Sequence, residues 1–208
     1  MKKYIVEFIG AFFLVLTIGF TVIEPGAGAM APLAIGSALM VMVYAGGHIS
    51  GAHYNPAVTL AVWMRGRCTT SDVPGYMIAQ VVGGVIAALI VLFVKSNAAV
   101  QAATPNVGPS LIAEFLYTFA LCYVVLNVAT SKNTSGNSFY GLAIGFTVLI
   151  GAYSVGAISG GAFNPAVAVG ITVMGLSKVA NIWIFLVANF LGGAAAAAVF
   201  NSLNPDDK

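Results

Sequence analysis

The sequence predicts an all-α membrane protein of six transmembrane helices and two re-entrant half-helices, built as an inverted repeat. Three observations carry this. Of 208 residues, 60% are hydrophobic and only 7% are charged, whereas a water-soluble domain carries roughly 25% charged residues. Six stretches are long and apolar enough to cross a bilayer. Short strings of residues recur at one fixed spacing between the two halves. The composition excludes a soluble enzyme and a disordered chain. Eight Lys and Arg against six Asp and Glu leave a formal net charge of +2, with no basic patch for nucleic acid. Cys68 and Cys122 lie in no CxxC and beside no His-rich partner. Neither a disulfide framework nor a zinc site follows from them, and no cofactor is expected.

A membrane-crossing helix needs about 20 mostly apolar residues. Residues 4–23, 31–47, 73–94, 109–130, 139–155 and 179–200 meet that requirement. Lys2 and Lys3 ahead of the first stretch are compatible with a signal peptide. Its length, its Glu7 and the want of a small-residue cleavage site favour a retained span. Transmembrane β-strands alternate in period two; these runs are continuously apolar. Two further stretches, 55–64 and 164–174, are too short to span. As helices each is about 15 Å long at 1.5 Å per residue, half the hydrocarbon thickness. Both begin Asn-Pro-Ala, and Asn is a favoured N-cap and Pro a favoured first helical residue. Each is therefore a half-helix starting near mid-membrane. The Gly-rich segments leading in, 48–54 and 157–163, are expected to be non-helical. Such backbone is tolerated at that depth only when buried in protein or lining a wet cavity.

An even number of spans puts both termini on one side. That side carries Lys2, Lys3, Arg65, Arg67, Lys132 and Lys208, while the other carries only Lys95 and Lys178. The bias places both termini in the cytoplasm. The halves are copies at an offset of 109: Leu33-Ala34-Ile35-Gly36 recurs as Leu142-Ala143-Ile144-Gly145, Ile49-Ser50-Gly51 as Ile158-Ser159-Gly160, Asn55-Pro56-Ala57-Val58 as Asn164-Pro165-Ala166-Val167, and Gly83-Gly84 as Gly192-Gly193. Glu7 recurs as Glu114 at an offset of 107. Each copy holds three crossings, so the second is inverted. The chain is one membrane domain with repeats over approximately 1–97 and 109–203, linked through 98–109. Inverted repeats put the functional site near the midplane, where broken helices meet.

Physically, the two half-helices enter from opposite sides and face each other with positive dipole ends, each worth about half an elementary charge. Asn55 and Asn164 are expected to present amide donors to the lumen. A water accepting from both turns its hydrogens outward, which interrupts a proton wire. Glu7 and Glu114 are intramembrane carboxylates that need partners. A proton relay is one reading, and bracing of each repeat's loop through backbone N–H groups is the favoured one. His48 and His53 have no acidic or Cys neighbour in sequence, so no metal site is expected, and His48 is assigned a structural hydrogen bond. The Gly pairs on the long helices allow close packing.

Together, the six spans, the paired Asn-Pro-Ala boxes, the mid-span Glu in each repeat and the string His-Ile-Ser-Gly-Ala-His-Tyr-Asn-Pro-Ala-Val over 48–58 resemble the aquaporin, or major intrinsic protein, family over nearly the whole chain. The resemblance implies that carbonyls of Gly51, Ala52 and His53 line one half of the pore and those of Gly160, Gly161 and Ala162 the other. It also implies a homotetramer with a pore in each subunit. The family's outer constriction maps to Ile35, Ala152, Gly161 and Val167. Val167 stands where the family typically has Arg, and Ala168 follows it where polyol-conducting members have an acid. A wider, more apolar constriction is therefore expected, which puts strict water selectivity in doubt and removes a fixed cation.

The function implied is a passive channel for water and small uncharged solutes, admitting larger neutral species such as glycerol, urea or undissociated metalloid acids. Its partners are those solutes and the lipid bilayer, with a cell (inner) membrane location and no enzymatic activity. Two other readings are a non-conducting structural or adhesion membrane protein and an ion-coupled carrier.

Overall fold

The computed structural model describes residues 1–207. Lys208, counted above among the cytoplasmic cations, lies outside the described residues. Eight α-helices follow in order: α1 (Lys2–Val22), α2 (Ala31–Ser50), α3 (Pro56–Met64), α4 (Val73–Val94), α5 (Val107–Val125), α6 (Tyr140–Ser159), α7 (Pro165–Val173) and α8 (Ile182–Leu203). Six are long and apolar enough to cross a membrane. The other two, α3 and α7, have nine residues each. Apart from an isolated bridge between Ala103 and Ser177, the described residues contain no extended pairing.

Three helix ends differ from the sequence expectation. Helices α2 and α6 run on through His48-Ile49-Ser50 and Ala157-Ile158-Ser159, so these parts of the Gly-rich segments are regular helix after all. The helix stops one residue later, where Gly51 (φ 86°) and Gly160 (φ 98°) take the left-handed conformation that ends helices. Glycine adopts it without a Cβ penalty. The glycines upstream, Gly46, Gly47 and Gly156, weaken the helix without ending it. The fourth span loosens into a π-helical turn over Leu126–Thr130.

Packing follows the repeat. Helix α1 lies along α4, α5 along α8, and α2 crosses α6. At that crossing Gly36 and Gly145, equivalent positions, meet backbone to backbone. Each half-helix packs on the long helix of the other repeat, α3 on α8 and α7 on α4. The duplicated glycine pairs make this possible. A Cβ at Gly84 would lie 3.0 Å from the Ala166 carbonyl oxygen, and one at Gly193 would lie 2.7 Å from that of Ala57. Their neighbours Gly83 and Gly192 serve within each repeat, against the Phe8 and Phe115 carbonyls. On the face carrying the termini, Arg65 caps the end of α3. Its buried guanidinium lies 2.8 Å from Asp207 and over the Phe200 ring. Asp207 also accepts from the Ser131 hydroxyl and the Lys132 N–H, tying the chain's end to the α5–α6 connection.

Candidate functional site

The two half-helix starts meet at the centre of the molecule. Asn55 caps α3 by accepting from the Ala57 N–H at 2.8 Å, and Asn164 caps α7 by accepting from the Ala166 N–H at 2.9 Å. Each amide nitrogen also crosses the repeat boundary. Asn55 Nδ2 donates to the Phe163 carbonyl and Asn164 Nδ2 to the Tyr54 carbonyl, both at 2.9 Å. The pair is thus locked reciprocally. An NH₂ has two protons, so one donor on each Asn remains outside these bonds. Both Asn residues line the same cavity.

The loops entering the half-helices repeat an uncommon backbone. Gly51, Ala52 and Tyr54 have positive φ, and so do Gly160, Gly161 and Phe163, position for position at the offset of 109. For bulky residues such as Tyr54 (φ 50°) and Phe163 (φ 49°), this region costs about 1–3 kcal/mol each. The carboxylates hold them there. Glu7 Oε1 accepts from Ser50 Oγ (2.6 Å) and the His53 N–H (2.9 Å), and Oε2 accepts from the Tyr54 N–H (2.6 Å) and Gln80 Nε2 (2.7 Å). Glu114 repeats this with Ser159 (2.7 Å), the Ala162 N–H (3.0 Å), the Phe163 N–H (2.7 Å) and Asn189 (2.9 Å). Every partner is a donor, matching an acceptor-only carboxylate. The Tyr54 ring sits against Gly10 and Gly46, and the Phe163 ring against Gly151.

Turning the backbone this way leaves carbonyls unspent. Those of Gly51, Ala52, His53, Gly160, Gly161 and Ala162 accept no hydrogen bond from the described residues. Gly160, Gly161 and Ala162 line one cavity, Gly51 lines a second, and His53 lines both. The Ala52 residue itself is buried in the core. His48 departs from the sequence expectation. It is exposed at the end of α2, facing the second cavity, and makes no hydrogen bond to a described residue. The structural histidine is His53, buried with Nδ1 3.1 Å from Thr59 Oγ1.

The first cavity, about 330 Å³, opens on the face opposite the termini. Ile35, Ala152, Gly161 and Val167, the four positions that the resemblance maps to the outer constriction, all line it, and no lining residue is an Asp, Glu, Lys or Arg. Its walls come in repeat pairs: Leu14 with Leu121, Leu39 with Val148, Val58 with Val167. The second cavity, about 890 Å³, opens on the terminal face and includes His48, Arg67 and Lys132.

Sequence reasoning missed Ser50, Ser159, Gln80, Asn189 and Thr59. A signal existed for the first four. Ser50 and Ser159 lie inside a repeated string, and Gln80 and Asn189 are mid-span amides at the same offset of 109. Thr59 has Ala168 as its counterpart, so the repeat gave no hint of it.

This is the architecture of a doubly re-entrant, inverted-repeat membrane channel. Comparison with known proteins agrees. The model of the family described as Major intrinsic protein matches residues 1–200. The chain is similar to Aquaporin NIP1-4 of Oryza sativa subsp. japonica, 35% identical over 210 residues that cover 97% of this chain and 76% of that protein. It is similar to Glycerol uptake facilitator protein-like 6 of Lactiplantibacillus plantarum, 35% identical over 217 residues with 100% of each covered. The X-ray structure of the aquaglyceroporin from Plasmodium falciparum shares the fold, with a TM-score of 0.81 at 20% identity, over 97% of this chain and 96% of that one. The chain belongs to the major intrinsic protein family.

Proposed function

We propose that the protein is a passive, multi-pass membrane channel for water and small uncharged solutes, and not an enzyme. One observation carries this reading. Two capped half-helices face each other across a lumen that holds their Asn amides and whose first cavity has no charged lining side chain. Opposed positive dipole ends, with no carboxylate lining the cavity and the two bracing ones spent on loop donors, disfavour a cation. The remaining Asn donors and the free carbonyls offer hydrogen bonds to a neutral polar solute. Val167, Ile35, Ala152 and Gly161 form an apolar constriction that lets solutes larger than water pass, glycerol, urea and undissociated metalloid acids among them. The names of the relatives, an aquaporin and a glycerol uptake facilitator, support this class.

An ion-coupled carrier needs a carboxylate free in the lumen. Both intramembrane candidates are spent, each accepting four hydrogen bonds. The functional unit is a homotetramer in the cell membrane with both termini cytoplasmic, by family resemblance and by the Lys/Arg bias. Stopped-flow shrinkage of proteoliposomes tests the function, with water, glycerol, urea and a metalloid acid compared in turn. Shrinkage no faster than protein-free vesicles for every solute refutes it. Fast water with no glycerol or urea flux refutes the wide constriction alone.

A further inference from the structure

The cations of the terminal face are not all matched alike. Lys3 pairs with Asp72, and Arg65 with Asp207. Arg67 and Lys132 instead converge on the second cavity, from the α3–α4 and α5–α6 connections. Among the described residues no Asp or Glu lines that cavity. Two carboxylates bond its lining residues, and both are committed. Asp207 lies 2.8 Å from Arg65 and accepts from Ser131 and the Lys132 N–H, while Arg67 approaches it to 3.8 Å. Glu7, behind Ser50 and His53, is filled by its loop donors. The repeat counterpart of Arg67 is Leu176, at the opposite mouth, so the charge belongs to one vestibule alone.

The lining has charged donors to spare. Its other polar groups are largely used up: Thr130 and Thr134 donate to the Leu126 and Asn127 carbonyls, and Asn137 Nδ2 donates to those of Val128 and Thr134. The side chains of Arg67, Lys132, His48, Ser135 and Tyr140 line the cavity and make no hydrogen bond to a described residue. Arg and Lys donate and never accept, so their complement is an anion rich in acceptors. A guanidinium fork grips two oxygens of a tetrahedral oxyanion, and an ammonium adds a point charge. The His48 ring and the two hydroxyls, on three further stretches of chain, are placed to meet the remaining oxygens. A volume of about 890 Å³ holds such an ion with part of its water. The vestibule shares Val125 with the first cavity, so an occupant stands in series with it.

We propose that the terminal-face vestibule is a binding site for a small, multiply charged oxyanion of the phosphate class, held between the Arg67 guanidinium and the Lys132 ammonium, and that the bound anion obstructs solute flux. The obstruction rests on the channel reading above; the binding site does not. A neutral solute has no comparable claim on the two cations and passes an empty vestibule freely. A dianion engages both at once, whereas chloride can satisfy neither the fork nor the spacing between connections.

Two measurements test the proposal, and the first is independent of conduction. Inorganic phosphate is titrated into the detergent-purified protein at constant ionic strength, with binding read from ³¹P line broadening. Saturable binding that sulfate displaces and chloride does not is expected. Arg67→Gln with Lys132→Gln should weaken it at least tenfold; both side chains are exposed, so the fold should tolerate the change. Lys2→Gln, an exposed cation that does not line the cavity, should leave binding as it is. In phosphatidylcholine proteoliposomes, phosphate on both sides should slow water shrinkage several-fold relative to chloride of equal osmolarity and ionic strength, and the double variant should not respond. Absence of saturable binding, or equal binding by the double variant, overturns the site. Binding lost equally in Lys2→Gln reduces it to diffuse surface charge and overturns it too. Binding with unchanged flux overturns the obstruction. Slowing by added phosphatidylglycerol, with none from phosphate in phosphatidylcholine, assigns the vestibule to a lipid headgroup and overturns the soluble ligand. A parent protein that passes no solute refutes the channel reading, with the binding result unaffected.

Discussion

Replacing Glu7 with Gln keeps the size of the side chain and removes its acceptor-only character. Whichever way the new amide turns, its NH₂ faces two donors. Placed at the Oε2 position it meets the Tyr54 N–H and Gln80 Nε2; placed at the Oε1 position it meets Ser50 and the His53 N–H. Ser50 can rotate to accept, and Gln80 can turn its unpartnered Oε1 inward. A backbone N–H cannot adapt, so at least one is orphaned, at about 1–3 kcal/mol. The surviving bonds fall from charge-assisted to neutral, a loss of roughly 1 kcal/mol each. The total, on the order of 3–6 kcal/mol, exceeds the about 1–3 kcal/mol of strain stored at Tyr54, so the loop should leave its left-handed turn. A fall in melting temperature of the detergent-purified protein and loss of water flux are both expected. Glu114→Gln should do the same to a similar degree, because Glu114 has the same set of donor types. Unchanged melting with normal flux would falsify the bracing role. Normal melting with altered flux would assign the carboxylate to the lumen instead.

Three other outcomes are expected. Val167→Arg should put a guanidinium into the first cavity and cut glycerol flux more than water flux; a steric cost of about 1.4 kcal/mol is already tenfold. Equal loss of both solutes in the folded variant removes Val167 from the size-selecting constriction. Gly193→Leu should drive α8 away from α3, since even a Cβ there sits 2.7 Å from the Ala57 carbonyl oxygen, while Gly108→Ala, with nothing within 4 Å, should be silent in the same thermal-unfolding assay. On the terminal face, hydrogen bonds from the Lys3 ammonium, then the Thr69 and Tyr4 hydroxyls, hold the Asp72 carboxyl down at about 2. A carboxyl lowered on folding stabilises above its unfolded value, about 3.9, and loses that contribution as pH falls through about 2. Asp72→Asn should flatten melting temperature against pH across this window, and an unaltered slope would remove Asp72 from the acid response.

The spans were legible because burial in a bilayer leaves a long apolar run, and the half-helices because Asn-Pro at a helix start has a local physical meaning. The positions of Asn55 and Asn164 at the lumen followed from duplication. Their reciprocal bonds did not. Those reach the Tyr54 and Phe163 carbonyls, whose direction depends on left-handed backbone at bulky residues, a conformation no propensity favours. Helix ends at Ser50 and Ser159 were misread for a related reason: a glycine-rich string does not say which glycine takes positive φ. His48 was given the structural role that belongs to His53. Both are histidines in one string, and only the helix register shows that one faces the vestibule while the other meets Thr59.

An inverted duplication builds two related half-pores, so whatever the copies share faces a solute entering from either side. The braces, the Asn pair and the paired Val58 and Val167 are shared, and they set the centre of the lumen and the apolar walls of the first cavity. With Val rather than a cation at position 167, the fixed positive field near the constriction comes from the half-helix dipoles alone, at the centre rather than at the mouth. The two mouths differ only where the copies diverge. They diverge at His53 against Ala162 and at Thr59 against Ala168. They diverge again at the mouths: Arg67 and Lys132 line the terminal-face vestibule, and no charged side chain lines the opposite cavity. On the channel reading proposed above, discrimination at the mouth opposite the termini is then steric and apolar, set by the space that Ile35, Ala152, Gly161 and Val167 leave, and Val167→Arg is the substitution that changes both at once.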